Sequence, residues 1–375
     1  MIVGVGFVLI TIKNVLSVFS LWSGPKTKFE VLRDPGTLGI YDPSVEFDTH
    51  DRGVLAYSSV SQDPQSPYPT VGVNVSVEGA KAGRWFFNHT VFESKIDSYY
   101  DQFGTGQELP GVWRYEMPSI IYVPEDVGHE WKIFSYRYFW SDDINLARQS
   151  GVIVYRDTGD ISTGQWSKEK WLFSANKYNP PAPYNSVVSL HINTLDESLS
   201  RVAAYSDPAA FYKDKTIYMT LAAYERNITD PDRIVMIASS DFGKTWRYVG
   251  DVFDASHLSQ YGKYKKMIGG QIFEKDGREF FTIALGGEAQ EFSGSFIFEF
   301  GDITKAHLKT NDLGYPKLIK HYGLQREISE LSALGGGQAD YHEKSKAGFV
   351  MSLMLRSEEK KPFILEGRGH EFLEE

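Results

Sequence analysis

Two aspartates stand immediately before prolines at widely separated places, in Tyr41-Asp42-Pro43-Ser44-Val45 and Ser206-Asp207-Pro208-Ala209-Ala210. A third carboxyl, Glu116, opens the related run Glu116-Met117-Pro118-Ser119-Ile120. Brought together, such groups supply general acid and base to one bond, provided one stays protonated beside an ionised partner. Asp340, Tyr341 and His342 form a further cluster, the alternative to Glu116 as source of the acid. Arg137 is a candidate for binding an acidic ligand, Trp113 and Tyr115 for stacking on a ring, and Gln271 and Gln338 for polar contacts. Each has a plainer alternative: an Asp-Pro turn, a rim ion pair, a loop hydrogen-bond network or core packing.

Other chemistries find no footing. The chain lacks cysteine, which removes disulfides and thiolate metal sites, and it has no His-x-x-x-His run. Gly335-Gly336-Gly337 is followed by no Gly-Lys-Ser/Thr, so it is no phosphate loop. No nucleophile elbow surrounds a serine. A net charge of −10 without a long basic run disfavours nucleic acid as a partner.

The elements that must position these groups repeat along the chain. Five stretches share a short polar or Pro-containing step, an apolar strand, a turn with Asp, Gly or Lys, and an aromatic-rich strand. They begin at Tyr41, Glu116, Ser206, Gly269 and Gly336. Between them lie further apolar runs, such as residues 152–155, 170–173, 233–238, 247–252 and 295–300, and no long amphipathic helix follows residue 28. The fold class is therefore all-β: a five-bladed β-propeller of four-stranded antiparallel blades, one domain over residues 28–375, with an irregular β-sandwich as the alternative. Residues 29–32 are expected to close the ring by pairing with the last strands, near residues 363–365, because repeated sheets hide their edges by closure. In such a ring equivalent repeat positions converge, which places Asp42, Glu116, Asp207, Gln271 and Gln338 around one cavity. Ser239-Ser240-Asp241-Phe242-Gly243-Lys244-Thr245-Trp246 matches the Asp-box pattern, a turn in which Asp bonds nearby amides and Gly accepts positive φ.

This pattern resembles the five-bladed glycoside hydrolases of families 43 and 32. Asp42-Pro43-Ser44-Val45 with Tyr57-Ser58-Ser59 is similar to the first-blade motif carrying a base or nucleophile. Ser206-Asp207-Pro208 is similar to the third-blade motif whose carboxylate tunes the acid. The resemblance implies hydrolysis of a glycosidic bond in an oligo- or polysaccharide, with Asp42 as base or nucleophile, Asp207 as transition-state stabiliser and Glu116, or a residue near Asp340, as acid. The fourth-blade position that carries the family's acid reads Ile268-Gly269-Gly270, and that departure supports a non-catalytic glycan- or protein-binding propeller as the alternative. The Asp-box alone suggests a sialidase-like hydrolase. No cofactor is expected; the resemblance leaves room for a structural calcium ion, to which no ligand set points.

Residues 1–27 form an apolar N-terminal segment. They read equally as a signal or anchor and as an extension packed on the body, since no Lys or Arg precedes the run and Lys13 and Asn14 interrupt it. A secreted or periplasmic location is expected, with the cytoplasm left open, and no other membrane span. Asn74, Asn88 and Asn227 head Asn-x-Ser/Thr sequons.

Overall fold

The computed structural model describes residues 28–368, except 33, 35, 67, 80–84, 102–105, 143–149, 175–189, 226–229, 288–291, 323–332, 346–347 and 356–361. The N-terminal segment and the Asn227 sequon lie outside the described residues. Regular structure among the described residues consists of β-strands and short 3-10 turns, as the repeat reading requires.

Local chemistry explains the hairpins. Asp214 and Lys215 (φ 48° and 61°) form the two-residue turn between Ala204–Lys213 and Thr216–Tyr224. Asp276 and Gly277 (φ 52° and 70°) do the same between Ile272–Lys275 and Arg278–Gly286. Positive φ at both central positions matches the twist of the flanking strands, which is why Asp, Lys and Gly stand there. Arg233–Ser239 is buried at every position, because each sheet is covered by neighbours on both faces.

The chain is an all-β propeller of antiparallel sheets. The first sheet comprises Gly39–Phe47, Gly53–Ser61, Thr70–Glu78 and Trp85–Phe92. The second is six-stranded: Lys95–Tyr100 and Leu190–His191 extend the group Glu108–Tyr122, Trp131–Trp140, Val152–Thr158 and Lys170–Ser174. The third holds Ala204–Lys213, Thr216–Tyr224, Arg233–Ser239 and Arg247–Asp254.

The count of five separate blades is corrected here, for four sheets are found among the described residues. The fourth and fifth repeats belong to one ten-stranded sheet, joined at a single parallel pair, Ser293 with Gly336. The expected closure is present: Lys28–Leu32 pairs antiparallel with Pro362–Arg368, Val31 opposite Leu365.

Apolar clusters carry packing from sheet to sheet. Val54 and Val75 meet Trp131 and Ile133; Tyr136 and Ile153 meet Tyr205 and Val235; Met236 meets Phe281; and Tyr57 shares a cluster with Val350. At the outer edge the Asp241 turn is a closed hydrogen-bond unit. Asp241 accepts from the Lys244 and Thr245 amides (3.1 and 2.8 Å), and Trp246 Nε1 donates to the Gly243 carbonyl (3.0 Å).

Candidate active site

The innermost strands share one irregularity. Pairing register shifts between Tyr41 and Ser44, Glu116 and Ser119, Ser206 and Ala209, and Gly336 and Ala339. The bulge puts Asp42, Met117 and Asp207 in the left-handed region, with φ 51°, 56° and 55°. Non-glycine residues adopt that region at a cost of about 1–2 kcal/mol, and a following proline disfavours it further. Three repetitions of one unfavourable backbone state point to a functional constraint. Met117, not Glu116, is thus the repeat equivalent of Asp42, and Glu116 stands one residue earlier.

Adjacent repeats are cross-linked at this bulge. Ser58 Oγ donates to Asp42 Oδ2 (3.2 Å) and accepts from the Met117 amide (3.1 Å), joining the first sheet to the second. Asp207 Oδ2 accepts from the Gly269 amide (2.9 Å), joining the third to the fourth repeat. Asp42 and Asp207 are 4% and 1% exposed. Burial, then the charge of Glu116, then that of Asp207 raise the proton affinity of Asp42 well above the ordinary carboxyl range, outweighing the bonds from Ser58 and Met117. Three carboxyls from three repeats therefore share one electrostatic locale.

Glu116 is half-buried, and its Oε1 accepts a hydrogen bond from the Tyr138 hydroxyl. Tyr41 also bonds Glu116; burial and then the Glu116 charge hold both phenols well above the usual tyrosine range, so both are donors. Tyr41, Ser58, Met117 and Tyr138 were missed in the sequence. Tyr41 and Ser58 lay inside the quoted motifs, and Tyr138 is next to Arg137, yet hydroxyl partners carry no spacing signal of their own.

The other candidates fall elsewhere. Trp113 is 1% exposed and packs edge-on against Tyr99 and Phe139, so the stacking role expected of it is replaced by core packing. Arg137 lies between the Trp113 and Trp171 rings (3.8 and 4.6 Å to centroids) and donates to Tyr115 Oη (3.1 Å). In the pairing, Tyr115 stands opposite Arg137 and Glu116 opposite Tyr136, so the arginine and Glu116 occupy opposite faces of the sheet. Gln271 bridges to Ser119 Oγ and the Pro118 carbonyl (both 3.1 Å), linking the fourth repeat to the second. Gln338 is 2% exposed, and its side-chain oxygen has no hydrogen-bond partner among the described residues.

Asp340 is an inter-repeat clasp: its carboxylate accepts from the Val45 and Tyr341 amides (2.7 and 2.8 Å). Burial, against those two bonds, pushes it up to about 7. His342 pairs with Glu46 (3.1 Å) and stacks on Phe47, at the end of the Gly39–Phe47 strand remote from Asp42. The Asp340–His342 cluster is accordingly separate from the three carboxyls.

Among the described residues no group of three or more His, Asp or Glu is arranged to hold a metal ion. No described helix is long and apolar enough to cross a membrane. Asn74 of the first sequon is 7% exposed and bonded to Asp34 and Thr90 (3.3 and 2.8 Å).

No protein-family model matches the sequence, and no curated protein matches it. Solved structures do share the fold. A xylan β-1,4-xylosidase from Bacillus halodurans is 14% identical, with a TM-score of 0.53 over 90% of this chain and 54% of its own. A GH32 β-fructofuranosidase from Bombyx mori is 10% identical, with a TM-score of 0.51 over 91% of this chain and 61% of its own. A GH43_12 protein from a capybara gut metagenome is 16% identical, with a TM-score of 0.50 over 94% and 57%. The chain thus spans little more than half the length of these neighbours. The likeness is one of fold: a β-propeller of the kind on which glycoside hydrolases are built.

Proposed function

We propose that the chain is a glycoside hydrolase-like protein acting on an oligo- or polysaccharide at the centre of the propeller. In this reading the halves of the ten-stranded sheet on either side of the Ser293–Gly336 pair act as two blades of a five-bladed ring. The observation that carries the reading is the charge that Glu116 and Asp207, from two other repeats, bring to bear on the buried Asp42. Glycosidic cleavage needs one carboxyl that keeps its proton and one that does not.

Asp42, with its raised proton affinity, is the proton donor to the leaving oxygen in this reading, in place of the base role implied by the motif. Glu116, half-buried and held by two phenol hydroxyls, is the base or nucleophile across the anomeric carbon. It either accepts the proton of the attacking water directly, or bonds to the anomeric carbon as nucleophile and is released when water, giving its proton to the now deprotonated Asp42, cleaves the sugar–enzyme bond. Asp207, oriented by the Gly269 amide, stabilises the positive charge developing on the sugar ring. Tyr41 and Tyr138 are positioning residues for Glu116.

The second reading is a non-catalytic glycan-binding propeller. It is favoured by Gly269, where an added Cβ would lie 2.8 Å from Asp207 Cβ, so no carboxylate fits at the position of the family's acid. Turnover of a panel of aryl glycosides and plant, algal and host glycans separates the two. Release of sugar by the wild type, abolished in Asp42→Asn, Glu116→Gln and Asp207→Asn, supports the hydrolase; binding of the same glycans without release supports the second reading.

A further inference from the structure

A cavity of about 560 Å³ lies against the first sheet and includes none of the three central carboxyls in its lining. That volume falls within the ~300–1,000 Å³ of small-molecule sites. Its wall is a set of short hydroxyls, among them Ser59, Ser61, Thr70 and Thr90, with the carboxyls of Asp34 and Glu93, the Asn74 amide and the Phe87 ring. Among the described residues the lining contains no Lys, Arg or His.

The polar wall is held in place from behind. Asp34 Oδ2 accepts from Tyr57 Oη (3.1 Å) and Asn74 Nδ2 (3.3 Å), and Asn74 Oδ1 accepts from Thr90 Oγ1 (2.8 Å). Tyr57 in turn lies within hydrogen-bond reach of Ser76 Oγ (3.3 Å). The donors and acceptors are thereby fixed before any ligand arrives, which lowers the ordering cost of binding. Phe87 is 57% exposed, at the outer strand of the sheet. A large ring kept in solvent beside a hydroxyl-lined hollow is an unfavourable arrangement unless something apolar covers it.

We propose that this cavity is a second ligand site that takes a neutral saccharide of one or two rings. A sugar offers two complementary surfaces: an apolar C–H face, which packs on Phe87, and a rim of hydroxyls that donate to carboxylates and accept from Ser and Thr. The carboxyls of Asp34 and Glu93 repel uronic and sialic acids and accept hydrogen bonds from the hydroxyls of neutral sugars. The site stands apart from the central reading, since the two share no residue. It would hold a glycan beside the propeller whether or not the centre cleaves it.

The test uses the full chain in an Asp207→Asn background, so that the probes are not consumed. Xylohexaose, mannohexaose, arabinohexaose and hexagalacturonate are titrated by calorimetry into that protein and into the same protein carrying Phe87→Ala or Glu93→Gln. Both added substitutions are at exposed positions, and unchanged melting temperatures verify the fold. At least one neutral hexasaccharide is expected to bind, about tenfold more weakly after Phe87→Ala and more weakly after Glu93→Gln, while hexagalacturonate does not. Failure of every neutral probe to bind, preference for hexagalacturonate, or binding unaltered by both substitutions overturns the proposal. Loss of turnover at the centre, by contrast, leaves these titrations unaffected, so the two readings fail separately.

Discussion

Asp42 and Asp241 are the same residue type, one at the inner-strand bulge and one in the outer turn, and their carboxyls behave in opposite ways. Asp241 feels some desolvation, yet hydrogen bonds from Thr245, Ser239 and Lys244 hold it down to about 2. Asp42 has Ser58 and Met117 as donors, but burial and two further carboxyls raise it well above the ordinary range. The outer turn spends its charge on backbone amides and is finished as structure. The inner one faces unsatisfied like charge, which is the condition under which a carboxyl keeps a transferable proton. Residue type is thus shared, and the neighbours decide the role.

The contrast breaks most visibly in activity. Asp42→Asn and Asp207→Asn are expected to lower kcat on a cleaved glycan by roughly 10²–10⁴-fold with the melting temperature nearly kept, whereas Asp241→Ala leaves kcat/KM unchanged. Equal losses from inner and outer aspartates, in steady-state assays, would erase the distinction.

Next in size is a pH effect from Asp340. Its folded value of about 7 exceeds the ordinary 3.8, so its contribution to stability is complete below 3.8 and is lost as pH rises through about 7. Roughly three pH units at ~1.4 kcal/mol each make this on the order of 4 kcal/mol. Denaturant melts of Asp340→Asn are expected to show a flatter decline between pH 5 and 8 than the wild type. An identical slope would remove Asp340 as the titrating clasp.

Gly270→Ala follows. An added Cβ would sit 1.9 Å from the Thr282 carbonyl oxygen, so the inner strand must shift, at about 3 kcal/mol measured by chemical denaturation. The smallest effect is that of Asp241→Ala on stability, about 1–2 kcal/mol from the lost turn bonds.

Much of this arrangement was legible because it is local. The Asp214-Lys215 and Asp276-Gly277 turns, the Asp-Pro steps and the closing pair of terminal strands follow from residue type and repetition. Part of the second sheet was not: the strand Lys95–Tyr100 and the first half of Glu108–Tyr122, which runs through Pro110 and Gly111, belong to no repeated stretch. Gly111 is required there: a Cβ would meet the Trp140 carbonyl oxygen at 2.3 Å and the Phe139 ring at 2.7 Å. Trp113 failed as a sugar platform because an aromatic on a strand reads alike whether it faces a cavity or the core. The joining of the last two repeats rests on one backbone pair, Ser293 with Gly336, which no residue pattern announces. Glu116 was found, but its phenol partners come from other strands, and only the folded ring reveals them.

The most direct measurement is the carboxyl titration of Asp42, followed by NMR of protein carrying ¹³C-carboxyl aspartate and assigned by the Asp42→Asn spectrum. The account expects Asp42 to stay protonated well above the ordinary range and to titrate lower in Glu116→Gln, because that charge is one of its neighbours. A titration near the ordinary 3.8, unmoved by Glu116→Gln, would show that the carboxyls of separate repeats do not share a site.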